Sequence, residues 1–193
     1  MGHIKRRKKT YERPRRPWVV QRIKEEKELV EKYGLKNKRE IWKAASLIRR
    51  YRREVRKILA EVAGGKPTEH TIRKEREILT SLKRKGILKE GMSEGESGAG
   101  SRLEDVLALS LEDILERRLQ TRVHKKGLSN SLKHARQLIV HGHIAVNGRR
   151  VTVPSYLVSV DEERKMDYYG HAPVSISTVT GEKGVEVAEG REK

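Results

Sequence analysis

The chain has 193 residues and no cysteine, and its 45 Lys and Arg outnumber 27 Asp and Glu to leave a formal charge of +18. Without Cys there can be no disulfide framework, thiolate zinc site or cysteine nucleophile; no apolar run approaches the ~20 residues needed to cross a bilayer; and the basic start Met1–Arg7 has no apolar segment behind it, which excludes a secretory signal. A hydrophobic share of 35 % can fill one or two modest cores, and so much positive charge calls for an anionic partner.

Residues 1–16 read as a basic extended arm. The run Lys5-Arg6-Arg7-Lys8-Lys9 repels itself and Pro14 and Pro17 block helix, the pattern of arms that order along nucleic acid. From 17 to 101 the chain reads as a basic α-helical region. Trp18 to Tyr33 predicts a charged helix stopped by Gly34, and Asn37-Lys-Arg-Glu40 has the form of a capping box. That box opens a long helix with Ile41, Ala45, Ile48, Val55, Ile58/Leu59 and Val62 at helical spacing. Its outward side carries Arg49, Arg50, Arg52, Arg53, Arg56 and Lys57, and Gly64-Gly65 end it. Thr68 to Lys85 predicts a third helix with Ile72, Leu79 and Leu82 inward, closed by Gly86. Residues 91–101 are small and polar and form a linker.

The segment 102–170 predicts a separate module. A short helix from Arg102 to Leu109 precedes a helix capped at Ser110 and running through Leu111, Ile114, Leu115, Leu119 and Val123 to Gly127. Ser129 caps the next, with Leu132, Ala135, Leu138 and Ile139 inward and Gly142 past its end. The period then changes from 3.6 to 2. Ile144–Val146, Asn147-Gly148 and Val151–Val153 form a strong hairpin signal, with further short strands at Leu157–Val160 and Met166–Tyr169. Residues 171–193 read as a flexible tail. Trp18, Trp42 and Tyr51 are expected to pack helices together.

Charge is unevenly spread. Residues 1–90 net +18 and residues 91–116 net −6, while 117–153 hold nine Lys and Arg and no acid at all. A solvated helix face normally interleaves both signs. A window that declines every such pair is expected to meet a polyanion, and phosphate backbones neutralise it while releasing counterions. An anionic membrane would want bulky apolar anchors opposite the basic face, and Phe is absent.

On a helical wheel Lys133, Gln137 and His141 follow one another at i, i+4 and i+8, nearly opposite Ala135, with His134 and Arg136 flanking the stripe. The preceding helix contributes Arg117, Arg118, Arg122, Lys125 and Lys126, and the hairpin presents Asn147, Arg149 and Arg150. Arg offers a planar fork for phosphate, while Gln and neutral His can bond ribose hydroxyls or base edges. Arg15 and Arg16 of the arm and Arg49, Arg50 and Arg53 of the long helix are further candidate RNA contacts. His134, His141 and His143 lie close in sequence, but no acid or Cys accompanies them, so no metal site is expected. Asp105, Glu112, Asp113 and Glu116 have the spacing of caps and exposed turns rather than of an acid–base pair. No phosphate-cradling glycine loop or catalytic motif is present, and no cofactor is expected.

The strings Leu115-Glu-Arg-Arg-Leu-Gln-Thr121, Gly127-Leu-Ser-Asn-Ser131, His134-Ala-Arg-Gln-Leu-Ile-Val-His-Gly-His-Ile144 and Val146-Asn-Gly148, then Val153-Pro-Ser155, resemble the small RNA-binding domain named after small-subunit ribosomal protein S-four. Pro14-Arg-Arg-Pro-Trp18 and Tyr33-Gly-Leu-Lys-Asn-Lys-Arg-Glu40 with Trp42 resemble the N-terminal region of the archaeal and eukaryotic branch of that family. The resemblance implies an α+β fold: a basic α-helical N-terminal region plus two packed helices and a short antiparallel sheet. It implies RNA-facing positions at Arg117, Arg118, Arg122, Lys133, His134, Arg136, Gln137, His141 and His143. It implies a non-enzymatic, ribosome-bound cytoplasmic protein that grips the five-prime domain of small-subunit ribosomal RNA at a multi-helix junction. Early binding to start assembly, a part in decoding accuracy and neighbouring proteins such as the S-five type belong to the same expectation. An RNA-modifying enzyme or RNA chaperone using the same domain is the alternative.

Overall fold

A computed structural model describes residues 11–65, 68–88 and 103–170. The basic run at 5–9, the linker at 91–101 and the tail from 171 lie outside the described residues.

Three helices come first: α1 Val20–Lys32, α2 Lys38–Ala63 and α3 Glu69–Arg84. Helix α2 is the spine. Its Ile41, Ala44, Ile48, Val55 and Ile58 line one buried seam, spaced as a 3.6-residue period requires. Ala44 takes the place expected for Ala45, and Val62 remains 39 % exposed, because the seam runs out before the helix does. Arg49, Arg50, Arg53 and Arg56 lie on the solvent side. Arg52 does not, since it donates to the Leu109 carbonyl (2.6 Å) and ties α2 to the chain that follows.

Helices α4 Leu103–Ala108 and α5 Leu111–Glu116 pack on α2. They lay Leu103, Val106, Leu109, Ile114 and Leu115 into the same core as α1–α3. A second core begins at Leu119. It joins α6 Leu119–Lys125 and α7 Leu132–His141 to a sheet of β1 Ile144–Val146, β2 Arg149–Arg150 and β3 Met166–Tyr168. Strand order is β2-β1-β3, antiparallel throughout, with Val146 opposite Arg149 on one side and Met166 on the other. The fold is α+β as expected, but the cores divide between Leu115 and Leu119 rather than near residue 101. Helices α4 and α5 belong to the α2 core because their apolar residues pack against its buried seam.

The helix expected from Ser110 to Gly127 is broken at Arg117-Arg118. Leu119 N–H donates to Tyr156 O (2.7 Å) and Val158 N–H to Arg117 O (3.0 Å), and Arg118 and Leu157 form an isolated antiparallel bridge. Leu119 N–H and Arg117 O therefore bond across space, as buried amides must bond somewhere, while the Arg117 and Arg118 N–H groups still donate to Ile114 O (3.2 Å) and Leu115 O (3.4 Å). The same exchange absorbs the strand expected at 157–160, and Ser159 instead caps α8 Val160–Arg164 in a capping box with Glu162. Ser131, not Ser129, caps α7; Ser129 is buried, and its carbonyl accepts from His124 Nδ1–H (3.0 Å). In the hairpin, Asn147 (φ 52°) and Gly148 (φ 74°) make the left-handed pair that a type I′ turn needs. Arg149 and Arg150 supply the pairing, and only Val151 of the expected 151–153 strand adds a bond, to Ile144 O (3.0 Å).

The two halves meet at the α1–α2 turn. Gly34 has φ 58°, and a Cβ there would lie 2.8 Å from Leu132 Cβ and 3.2 Å from Gln120 Nε2. Gln120, fully buried, donates through that amide to Gly34 O (2.9 Å) and Leu132 O (2.9 Å). Gly34→Ala should therefore cost ~1–3 kcal/mol from the left-handed backbone alone, with the clash added. Urea unfolding of the variant at neutral pH measures it, and an unchanged midpoint would contradict this account of the turn.

Candidate nucleic-acid interface

The acid-free window at 117–153 is not left unpaired. Its arginines break into two groups once the chain folds, and acids from outside the window decide which. Arg118 is 5 % exposed and Arg117 is 7 % exposed. Arg118 pairs with Glu40 of α2, and Arg136 of α7 reaches the same carboxylate at 2.9 Å. Arg117 donates to Glu163 (2.8 Å) and to Val158 O (2.8 Å), and Arg122 pairs with the other oxygen of Glu163. Lys125 lies 3.3 Å from Glu116 and Lys126 3.9 Å from Asp167.

Arg117 and Arg118, expected to face RNA, are buried and ion-paired within the fold. Both sit at the break between α5 and α6, where their side chains run inward to bind α8 and α2. Burial lowers the pKa of Arg117. It does the same to Arg118, against which Glu40 works. A charge in such a place needs a partner, since an unpaired one costs several kcal/mol. Arg122 and Arg136 are half-buried and shared between structure and surface.

Glu40 is the site residue that sequence reading missed. It is the N3 residue of the capping box expected at Asn37–Glu40. Yet the Asn37 side chain makes no cap hydrogen bond, and Glu40 turns instead to α6 and α7. Burial by itself would raise its pKa, but hydrogen bonds and charge from Arg136 and Arg118 outweigh it and hold the carboxyl below the usual range. Gln120 was also missed; its carbonyl accepts from Arg136 (3.3 Å), so it aims the arginine as well as bridging the halves.

What remains outward is a narrower surface. Lys133, Gln137 and His141 form an exposed stripe along α7, with His143 exposed just beyond and His134 half-buried beside it. The His141 and His143 rings lie 6.3 Å apart. Asn147 and Arg149 are exposed on the hairpin, and Arg150 donates to the His141 carbonyl (2.9 Å), stitching the hairpin to the end of α7. Lys133 and Arg149 have no acid partner among the described residues. Two cations, two side-chain amides and two imidazoles exposed on α7 and the hairpin can bind phosphate and ribose. Among the described residues no group of three or more His, Asp or Glu could hold a metal ion, and no helix is long and apolar enough to cross a membrane.

The other candidate arginines lie on the helical half. Arg15 and Arg16 are exposed. Arg49 and Arg53 share Glu12 at 3.3 and 3.9 Å, and Arg50 pairs with Glu54 at 3.1 Å. Such exposed pairs are worth little and leave the cations available to a polyanion. Residues 11–16, the described part of the arm expected at 1–16, are already fastened: Tyr11 packs on Trp42 at 6.2 Å, and Glu12 N–H donates to Ser46 Oγ (3.0 Å). Trp42 and Tyr51 pack between elements, whereas Trp18 is 71 % exposed, since α1 begins only at Val20.

Comparison with known proteins gives the same division. Residues 117–163 match the S4 domain family. The chain is 48 % identical over 174 residues to the small ribosomal subunit protein uS4 of Methanothermobacter thermautotrophicus, covering 90 % of this chain and 94 % of that one. It is 46 % identical over 194 residues to the small ribosomal subunit protein uS4 of Saccharolobus solfataricus, covering 97 % of this chain and all of that one.

Because Glu40 is held below its unfolded pKa, its contribution is fully present above the ordinary carboxylate range and is lost as pH falls through the folded value. Glu40→Gln should lower stability at neutral pH by ~2–3 kcal/mol, the worth of charged hydrogen bonds, and should flatten the acid limb below the ordinary carboxylate pKa. Thermal melts of both chains from pH 7 to pH 3 report this. Parallel curves would remove Glu40 from the account.

Proposed function

The chain belongs to the small ribosomal subunit protein uS4 family, and from that premise we propose that it is a structural component of the small subunit that binds small-subunit ribosomal RNA directly. The observation that carries the reading is the open face of α7 and the hairpin. Most other cations of the second core are neutralised within the fold, while Lys133 and Arg149 stand exposed beside Gln137, His141, His143 and Asn147. Half-buried Arg122, Arg136 and His134 at its margin, with Lys125, complete a rigid platform. Arg15, Arg16, Arg49, Arg50 and Arg53 extend the cationic contact along the helical half.

Within this reading the role is structural rather than catalytic, and the protein works in the cytoplasm as part of the ribosome. The platform grips a multi-helix junction in the five-prime domain of the RNA, where phosphates from several helices converge on one concave surface. Binding there early nucleates subunit assembly, and contact with neighbours of the S-five type supports decoding accuracy. A rigid platform suits a junction because it reads the spacing of backbones rather than bases.

Neutralising about ten phosphates gives a log–log salt slope of roughly −7 to −9. Filter binding to a five-prime-domain transcript across a salt series measures it, and a slope near −2 would count against the proposal. Lys133→Ala with Gln137→Ala should weaken that binding roughly tenfold and leave the melting temperature unchanged. Arg118→Ala should instead lower the melting temperature, because it removes a buried side chain and one of the two guanidiniums that Glu40 holds. Equal binding losses without any thermal effect would return Arg118 to the RNA surface.

A further inference from the structure

A second cationic groove lies on the helical half, between the arm and the start of α2. Two sets of fasteners make the arm an arch. At one end Glu12 is tied to Ser46 and Arg49; at the other, Arg22 donates to the Arg16 and Pro17 carbonyls (3.1 and 2.9 Å). The span between them borders an open groove of about 590 Å³, inside the ~300–1,000 Å³ range of small-ligand sites. Pro14, Pro17 and Trp42 form its apolar lining, and Arg13, Lys38 and Arg39 its charge.

The groove is prepared rather than incidental. Trp42 is fixed by its indole N–H, which donates to the buried carboxylate of Glu26 (3.0 Å). Glu26 also holds Arg22 at 2.5 Å and Lys38 at 3.6 Å, so one carboxylate sets the floor, the arch and one cation. Arg13 and Arg39 are exposed and make no ion pair among the described residues. Asn37, which also lines the groove, leaves its side chain unused as a helix cap and can offer both a donor and an acceptor. None of the lining residues is acidic.

We propose that this groove binds an unpaired ribonucleotide segment, with phosphates on Arg13 and Arg39, a base against Pro14, Pro17 and Trp42, and the Asn37 amide on the base edge. An acidic peptide would satisfy the cations but leave the flat apolar floor and the amide unused. A paired helix would present no base to the floor. Cations that track a backbone beside an aromatic floor are how single strands are held with little sequence preference. The inference rests on the RNA-binding role proposed above but uses residues outside the α7 face.

The chain has two tryptophans, so Trp18→Phe leaves Trp42 as the only indole reporter. Titrating that full-length chain with single-stranded hexa-adenylate should change Trp42 emission saturably. Adding Arg13→Ala and Arg39→Ala should weaken the response roughly tenfold or more and reduce the log–log salt slope by about 1.4, the loss of two single-strand phosphate contacts. Circular dichroism should not move, since both side chains are exposed. An unresponsive Trp42, a response indifferent to the two arginines, or equal affinity for a hexaglutamate peptide would overturn the proposal. Failure of the α7 reading would show separately: Lys133→Ala with Gln137→Ala would then bind the folded transcript as well as the parent, while hexa-adenylate still moved Trp42.

Discussion

One carboxylate, Glu40, holds two guanidiniums from the other half of the molecule, and much of the structure depends on that arrangement. Arg118 is almost fully buried beside it and Arg136 reaches it from α7. A buried cation without a partner is far costlier than the net worth of the pair. With the halves docked, Arg118 is therefore tolerated only because Glu40 pairs with it. Gln120 and Gly34 complete the contact with hydrogen bonds and close approach. A second clamp, Glu163 on Arg117 and Arg122, fastens the far side.

The consequence for function is a separation of charge by role. Cations at the break between α5 and α6 are spent on holding the fold, while those on the outer stripe of α7 and on the hairpin are left for a polyanion. Internal neutralisation makes the surviving positive surface smaller but better placed, because the helices that carry it are locked to the rest of the chain. Rigid placement matters for recognising folded RNA, in which the spacing of phosphates and riboses carries the information. Arg136 stands where these roles meet: Glu40 and Gln120 aim it from one side, and it lies half-exposed beside the open stripe of α7.

The helical half follows a similar logic with weaker interactions. Residues 11–17 are fastened to α2 by a ring contact, a backbone hydrogen bond and exposed ion pairs. Exposed pairs of this kind yield readily to phosphate. Glu26 does for the arch what Glu40 does for the interface: one buried acid gathers Arg22, Lys38 and the Trp42 indole.

Local chemistry was legible from the residues alone. The period of α2 and α7, the left-handed stop at Gly142, the Asn147-Gly148 turn, and the exposed stripe of Lys133, Gln137 and His141 all depend on interactions within a few residues, so sequence determined them. The α+β class and the family resemblance rest on the same patterns. Tertiary structure decided what the charges do. Nothing between 117 and 153 reveals that Glu40, nearly eighty positions earlier, and Glu163, over forty later, would take up Arg118 and Arg117. Nor does that stretch announce that residues 156–158 would break a continuous helical pattern by competing for its amides. Pairing over such separations is set by how the cores pack, and a linear pattern carries no record of which distant acid the packing brings near.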